Sequence, residues 1–230
     1  MSRKLFALLG EVEDDPSVLE TGDLQQRLTA QLEAVNRSHG GDIYAPLVVS
    51  GGFPEFAGVF LTHRPIYDIA RVLTDACYPL PVRLALARGE IHTEGEAHDA
   101  DSMDGPAFDL AGELLYRARK EHRLVLLDTG NTDFDALFNA LLLLLHRNFR
   151  QWTRRQWEVV RLYRELRRQN LVAERLGISQ QSVSSTLAGA GWKTLAEVED
   201  ALHRVLGESE EGRPPEALAP LAVGDAGRLS

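Results

Sequence analysis

The chain has 230 residues, 44% hydrophobic and 26% charged, an ordinary balance for a protein with a real core, and its formal net charge is −9. No apolar run approaches the ~20 residues of a membrane helix, so neither a spanning segment nor a membrane partner is expected. A single cysteine, Cys77, excludes an internal disulfide and fits a reducing cytoplasm, the expected location.

Leu5 to Gly10 reads as a first strand. The apolar run then meets Glu11, Glu13, Asp14 and Asp15, which is not the pattern of a signal peptide. Leu24, Leu28, Leu32 and Val35 recur at helical spacing and predict an amphipathic helix over about 22–37. Ile43 to Ser50 is β-rich, Gly51-Gly52-Phe53-Pro54 breaks it, and Glu55 to Leu61 forms the return strand of a hairpin. A helix is predicted from about 65 to 77, with Pro65 in its first turn. Val82, Leu84 and Leu86 alternate with Arg83 and Ala85 as a strand does. After an acidic loop come a helix over about 106–121 and a strand over Arg123 to Leu127. The first six elements predict an α+β, ferredoxin-like domain: an antiparallel sheet with helices on one face.

From about 133 the pattern is helical only, which divides the chain into residues 1–130, a helical domain over 131–206 and a disordered tail over 207–230. Phe134, Leu137, Phe138, Leu141, Leu142 and Leu145 form a broad apolar face that serves either a helical core or a dimer seam. Thr153 and Gln156 predict a capping box, stapled by Trp152 and Trp157. In the helix that follows, Arg154, Arg155, Arg161, Arg164 and Arg168 are expected to face solvent. Thr194 and Glu197 predict a further capping box, opening a last helix over 195–206.

Residues 169–188 carry the most information. Ala173 lets two helices approach, Gly177 supplies a left-handed end to the first, and Ser179 caps the second. Ile178 and Val183 can staple that cap, and with Leu176 and Leu187 they form a small core. This is the pattern of a helix-turn-helix, the motif that sets one helix in the major groove. Gln180, Gln181, Ser184 and Ser185 are then left facing outward. Gln matches the donor and acceptor of an adenine edge, and Ser reaches a base or a phosphate.

Charge is unevenly divided. Residues 1–150 hold 14 Lys and Arg against 23 Asp and Glu, whereas residues 151–206 hold 9 against 6. The positive excess falls on the segment with the helix pair, as a DNA-binding surface requires. Arg154, Arg155, Arg175 and Lys193 are the candidate phosphate contacts.

Several blocks together resemble one family. They are Leu5-Phe6-Ala7-Leu8-Leu9-Gly10, Gly89-Glu90-Ile91, Asp104-Gly105-Pro106-Ala107-Phe108, Arg155-Gln156-Trp157-Glu158-Val159-Val160 and Ala190-Gly191-Trp192. They resemble the SatD family of bacterial proteins over most of residues 4–206. The resemblance implies a domain like those of nucleotide cyclases and GGDEF proteins joined to a helix-turn-helix. In those folds an acidic residue ending the first strand and another in the hairpin turn hold two metals. Glu11 stands where Asp is usual, and Phe53 and Pro54 stand where the metal-binding Asp is expected. An apolar residue cannot ligate Mg²⁺, so turnover is not expected, and neither a metal nor another cofactor is. A retained pocket remains open to a nucleotide ligand, with Glu11, Gly51, Gly52, Glu55 and Asp104 as its candidate residues.

Weaker patterns add little. His92, His98, Asp99, Asp101 and Asp104 miss the spacing of a calcium loop and read as a solvated acidic segment. Asp128 in Leu127-Asp128-Thr129-Gly130 is expected to help start the next helix, and His146 and His203 read as packing or surface residues. The sequence therefore predicts a regulator that binds double-stranded DNA, with a homodimer on a palindromic site as the natural way to gain affinity. The alternatives are a nucleotide-processing enzyme with an accessory helix-turn-helix, and a protein-interaction scaffold.

Overall fold

The computed structural model describes residues 2–13, 15, 17, 21–92 and 100–208, a mixed α+β chain. In order these form β1 (Ser2–Val12), α1 (Thr21–Ser38), β2 (Ile43–Val49), β3 (Glu55–Phe60), α2 (Ile66–Cys77) and β4 (Val82–His92). A 3-10 turn over Ala100–Ser102 precedes α3 (Pro106–Lys120) and β5 (Val125–Asp128). The helices α4 (Thr132–Phe149), α5 (Arg154–Leu166), α6 (Gln169–Leu176), α7 (Gln180–Gly189) and α8 (Trp192–Glu208) follow. α8 runs through Glu208, two residues into the tail predicted over 207–230; the rest of that tail lies outside the described residues, as do His98 and Asp99 of the acidic segment.

The strands lie in the order β2-β3-β1-β4-β5. β1 is central and buried on both faces: Phe6, Leu8 and Val12 enter one core cluster, Leu5 and Ala7 the other. A Cβ on Gly10 would collide with the Phe56 ring, so only glycine lets β3 pack this closely there.

Two expectations about the sheet are corrected. It is mixed rather than antiparallel, because β5 runs parallel to β4 with Leu84 opposite Val125 and Ala87 opposite Asp128. Helices also cover both faces. The large side chains of α1, α2 and α4 pack on one face, and α3 packs on the other through Ala107, Ala111, Leu114 and Ala118. That second face is built largely of Ala7, Ala57, Ala85 and Ala87, so a helix of small residues can lie close to it. At the closest approach a Cβ on Gly89 would sit 3.0 Å from the Ala107 Cα. A parallel neighbour needs a crossover helix, and α3 supplies it.

Both edge strands are closed by an asparagine from a helix. The Asn36 side chain accepts from Leu47 N at 2.8 Å and donates to Leu47 O at 2.9 Å. Asn139 treats Leu127 of β5 in the same way, at 2.9 and 2.8 Å. Each amide imitates the missing neighbouring strand and satisfies backbone groups that would otherwise be open to pairing.

The main core runs without a break from the sheet into the helical segment, with Leu8, Leu73, Phe138, Val160, Val183 and Leu206 in one cluster. A buried polar lock lies across the same junction. Glu199 of α8 accepts from the Tyr67 hydroxyl at 2.8 Å and from Arg164 at 2.5 Å, and Asp75 of α2 lies 3.9 Å from Arg164. Arg164, expected in solvent, is only 8% exposed in its side chain. Its guanidinium also lies over the Trp192 ring at 5.7 Å. Cys77 is buried, and burial pushes its thiol pKa up to about 11. No helix among the described residues is long and apolar enough to cross a membrane.

Candidate functional site

The helix pair is built as its sequence prescribes. Gly177 ends α6 with φ +63°, a left-handed conformation that a Cβ disfavours, and Ile178 N donates back to Ala173 O at 3.0 Å. The Ser179 hydroxyl accepts from Ser182 N at 3.1 Å and caps α7. Val172, Ala173, Val183 and Leu187 are buried between the helices, while Leu176 and Ile178 are half-buried at the rim.

α7 shows opposite characters on its two sides. Val183, Leu187 and Ala190 anchor it, and Trp152 Nε1 donates to Ala190 O at 3.2 Å. Gln180, Gln181, Ser184 and Ser185 are all exposed. The C-terminal end of α7 lies against the start of α5, since a Cβ on Gly189 would be 3.5 Å from Gln156 Nε2. Arg154, Arg155 and Lys193 therefore belong to that end of α7, whereas Arg175 precedes the turn at its other end. Arg154, Arg175 and Lys193 are exposed; Arg155 is half-buried and pairs with Glu158 at 2.9 Å. Arg167 and Arg168, between α5 and α6, are also exposed; Arg168 was expected in solvent, whereas Arg167 was not singled out and only its place in the inter-helix connection hinted at it.

The Thr153–Gln156 capping box forms as predicted. The second one does not. α8 starts at Trp192, directly after Gly191 at φ +69°, so Thr194 sits inside the helix instead of capping it. Trp152 and Trp157 meet edge to face at 5.7 Å as packed anchors. Asn131, rather than Asp128, caps α4, accepting from Phe134 N at 3.2 Å. Asp128 accepts from Gly130 N instead.

The candidate ligand residues of the sheet separate into two places. Glu11, Gly51, Gly52 and Glu55 gather at one end, where Glu11 of β1 lies opposite Glu55 of β3. Asp104 lies at the other end, bridged to His92, which pairs with Ser2. The Glu11 carboxylate is 5% exposed and engaged by two guanidinium groups: Arg83 at 3.2 Å and Arg119, whose Nε donates at 3.1 Å. Its oxygens are occupied by cations that the protein itself provides. Among the described residues no group of three His, Cys, Asp or Glu side chains is placed to hold a metal ion.

A family model, the SatD family, matches residues 5–202, and the chain belongs to that family. A comparison with curated proteins finds no match.

Proposed function

We propose that this protein is a sequence-specific DNA-binding regulator, read out by α7 as the recognition helix of a helix-turn-helix. The observation that carries the reading is the exposure of Gln180, Gln181, Ser184 and Ser185 on a helix anchored by Val183 and Leu187. Arg154, Arg155 and Lys193 at one end and Arg175 at the other would hold the phosphate backbones, leaving the glutamines and serines to the base edges. The protein would act in the cytoplasm, where its double-stranded DNA lies.

In this reading residues 2–130 are a ferredoxin-like, cyclase-related domain without catalysis. Its support is the β2-β3-β1-β4 order with α1 and α2 on one face. The capture of Glu11 by Arg83 and Arg119 further supports a domain that has exchanged metal chemistry for structure. A homodimer fits the exposed stripe on α4, where Leu137 is 65% and Leu144 64% exposed on either side of exposed Ala140. Asp133 and Arg147 end that stripe seven residues either side of Ala140, so an antiparallel two-fold pair would set acid against base twice.

Selection of bound duplexes from a random library, with the full chain and with Gln181→Ala plus Ser184→Ala, tests the assignment. The double variant is expected to lose discrimination by roughly tenfold or more at the contacted positions. An unchanged sequence preference would remove α7 as the reading element.

A further inference from the structure

A cavity distinct from the exposed face of α7 has the chemistry of a small-molecule site. It is a cleft of about 460 Å³ between the loop leading into β4, the loop leading into β5 and the bend between α4 and α5. That volume lies within the range of ligand pockets.

Three guanidinium groups line it, from Arg83, Arg123 and Arg150, in a protein whose net charge is −9. Arg83 is held by Glu11 and by Glu13, itself on the cleft wall, and Arg123 is held by Glu121 at 2.7 Å. Arg150 is exposed and makes no ion pair among the described residues. Aromatic rings line the same cleft. Tyr78 and Trp157 stack on each other at 4.7 Å and 14°, with Trp152 beside them.

Two of the cleft's lining residues carry polar atoms without partners: His146 Nδ1 and Trp157 Nε1 are buried behind the wall and make no hydrogen bond among the described residues. A buried polar atom without a partner is uncommon and calls for a reason. Burial, reinforced by the nearby charges of Arg150 and Arg83, lowers the His146 pKa to about 4, so the imidazole is neutral at pH 7. The cationic character of the cleft therefore comes from arginine, the side chain best shaped to fork onto a phosphate or carboxylate.

We infer that this cleft binds a planar aromatic anion, a flat ring bearing a phosphate or a carboxylate, with the ring against Tyr78, Trp152 and Trp157 and the anionic group on Arg150 and Arg123. The inference stands whether or not α7 reads DNA. If both hold, the ligand would bridge the sheet and the entrance to α5, the helix on which α6 and α7 are packed.

Tryptophan fluorescence of the full chain provides the test, since two of its three tryptophans line the cleft. Adenosine 5′-monophosphate and salicylate represent the two sources of the anion, with adenosine and inorganic phosphate as the ring alone and the charge alone. One of the two aromatic anions should quench saturably, at least about tenfold more tightly than adenosine or phosphate. Arg150→Glu should weaken it by a similar factor, and the milder Arg150→Gln by less, with melting temperatures lowered by a few degrees at most, because Arg150 is exposed at the C-terminal end of α4. A phosphate-bearing ligand identifies a nucleotide-type site, and a carboxylate a phenolic or benzoic one. The inference is overturned if neither anion saturates at millimolar concentration, if adenosine or phosphate binds equally well, or if Arg150→Glu binds as the unaltered chain does.

Discussion

His63 is held between the Phe6 and Phe134 rings, with centroids 5.5 and 5.4 Å away, and is only 4% exposed. Burial first, then the charges of Arg64 and Arg88, lower its pKa from 6.5 to about 4. Well above pH 6.5 the ring is neutral in both the folded and unfolded chain and contributes nothing to pH dependence. As pH falls from 6.5 toward 4 the unfolded chain takes up a proton that the native site refuses, so stability declines, by an upper bound of about 3 kcal/mol from this residue. Urea titrations at pH 7 and pH 4.5 should show this loss, and His63→Leu should make the dependence shallower; an equally steep dependence in the variant would show that His63 is not its source. Single residues were legible in the sequence where their role is local. Gly177, Ser179 and the Thr153–Gln156 pair satisfy backbone groups within a few positions of themselves, and each does what its type and spacing prescribe. Arg164 was not legible, because the carboxylates that draw it inward lie 89 and 35 residues away, at Asp75 and Glu199.

Between elements, the lock of α2, α5 and α8 decides how the helix pair is held on the sheet. Glu199 and Arg164 are 11% and 8% exposed in their side chains, and removing the Glu199 charge leaves Arg164 buried with only Asp75, 3.9 Å away, as a counter-charge. Glu199→Gln should lower unfolding stability by about 3 kcal/mol in urea. Combining it with Arg164→Met, which removes the stranded charge, should recover part of that loss; a double variant weaker than the single one would mean that Arg164 stabilises the fold through Asp75 and Trp192 even without Glu199. The same contrast between local and distant partners explains which elements were legible. Hydrophobic periodicity located the helices and strands because burial on one face recurs at a fixed spacing. The parallel pairing of β5 with β4 and the burial of α3 on the far face depend on non-local choices, and the alanine-rich stripe of α3 became meaningful only beside the alanines of β1, β3 and β4. The start of α8 was displaced for a different reason: the left-handed Gly191 turns the chain directly into the helix, so the Thr194–Glu197 pair never meets an open helix end.

At the scale of the molecule, an acidic sheet domain carries a basic helical segment on one continuous core. An acidic body would repel phosphate everywhere except at the border of α7, which favours site-selective association over a general coat. The candidate ligand set of the sheet was only half legible, since Glu11 and Glu55 do meet across β1 and β3 while Asp104 lies at the opposite end. The cleft between the sheet and the α4–α5 bend was not legible, because its arginines and rings come from three separate segments. The salt dependence of duplex DNA binding by the full chain tests the central proposal most directly. If Arg154, Arg155, Arg175 and Lys193 each meet one phosphate, log affinity should fall with log salt at a slope of about −3 to −4. Alanine at Arg154, Arg175 and Lys193 together should flatten that slope to about −1; no duplex binding at low salt, or an unaltered slope in the triple variant, would contradict a recognition surface on α7.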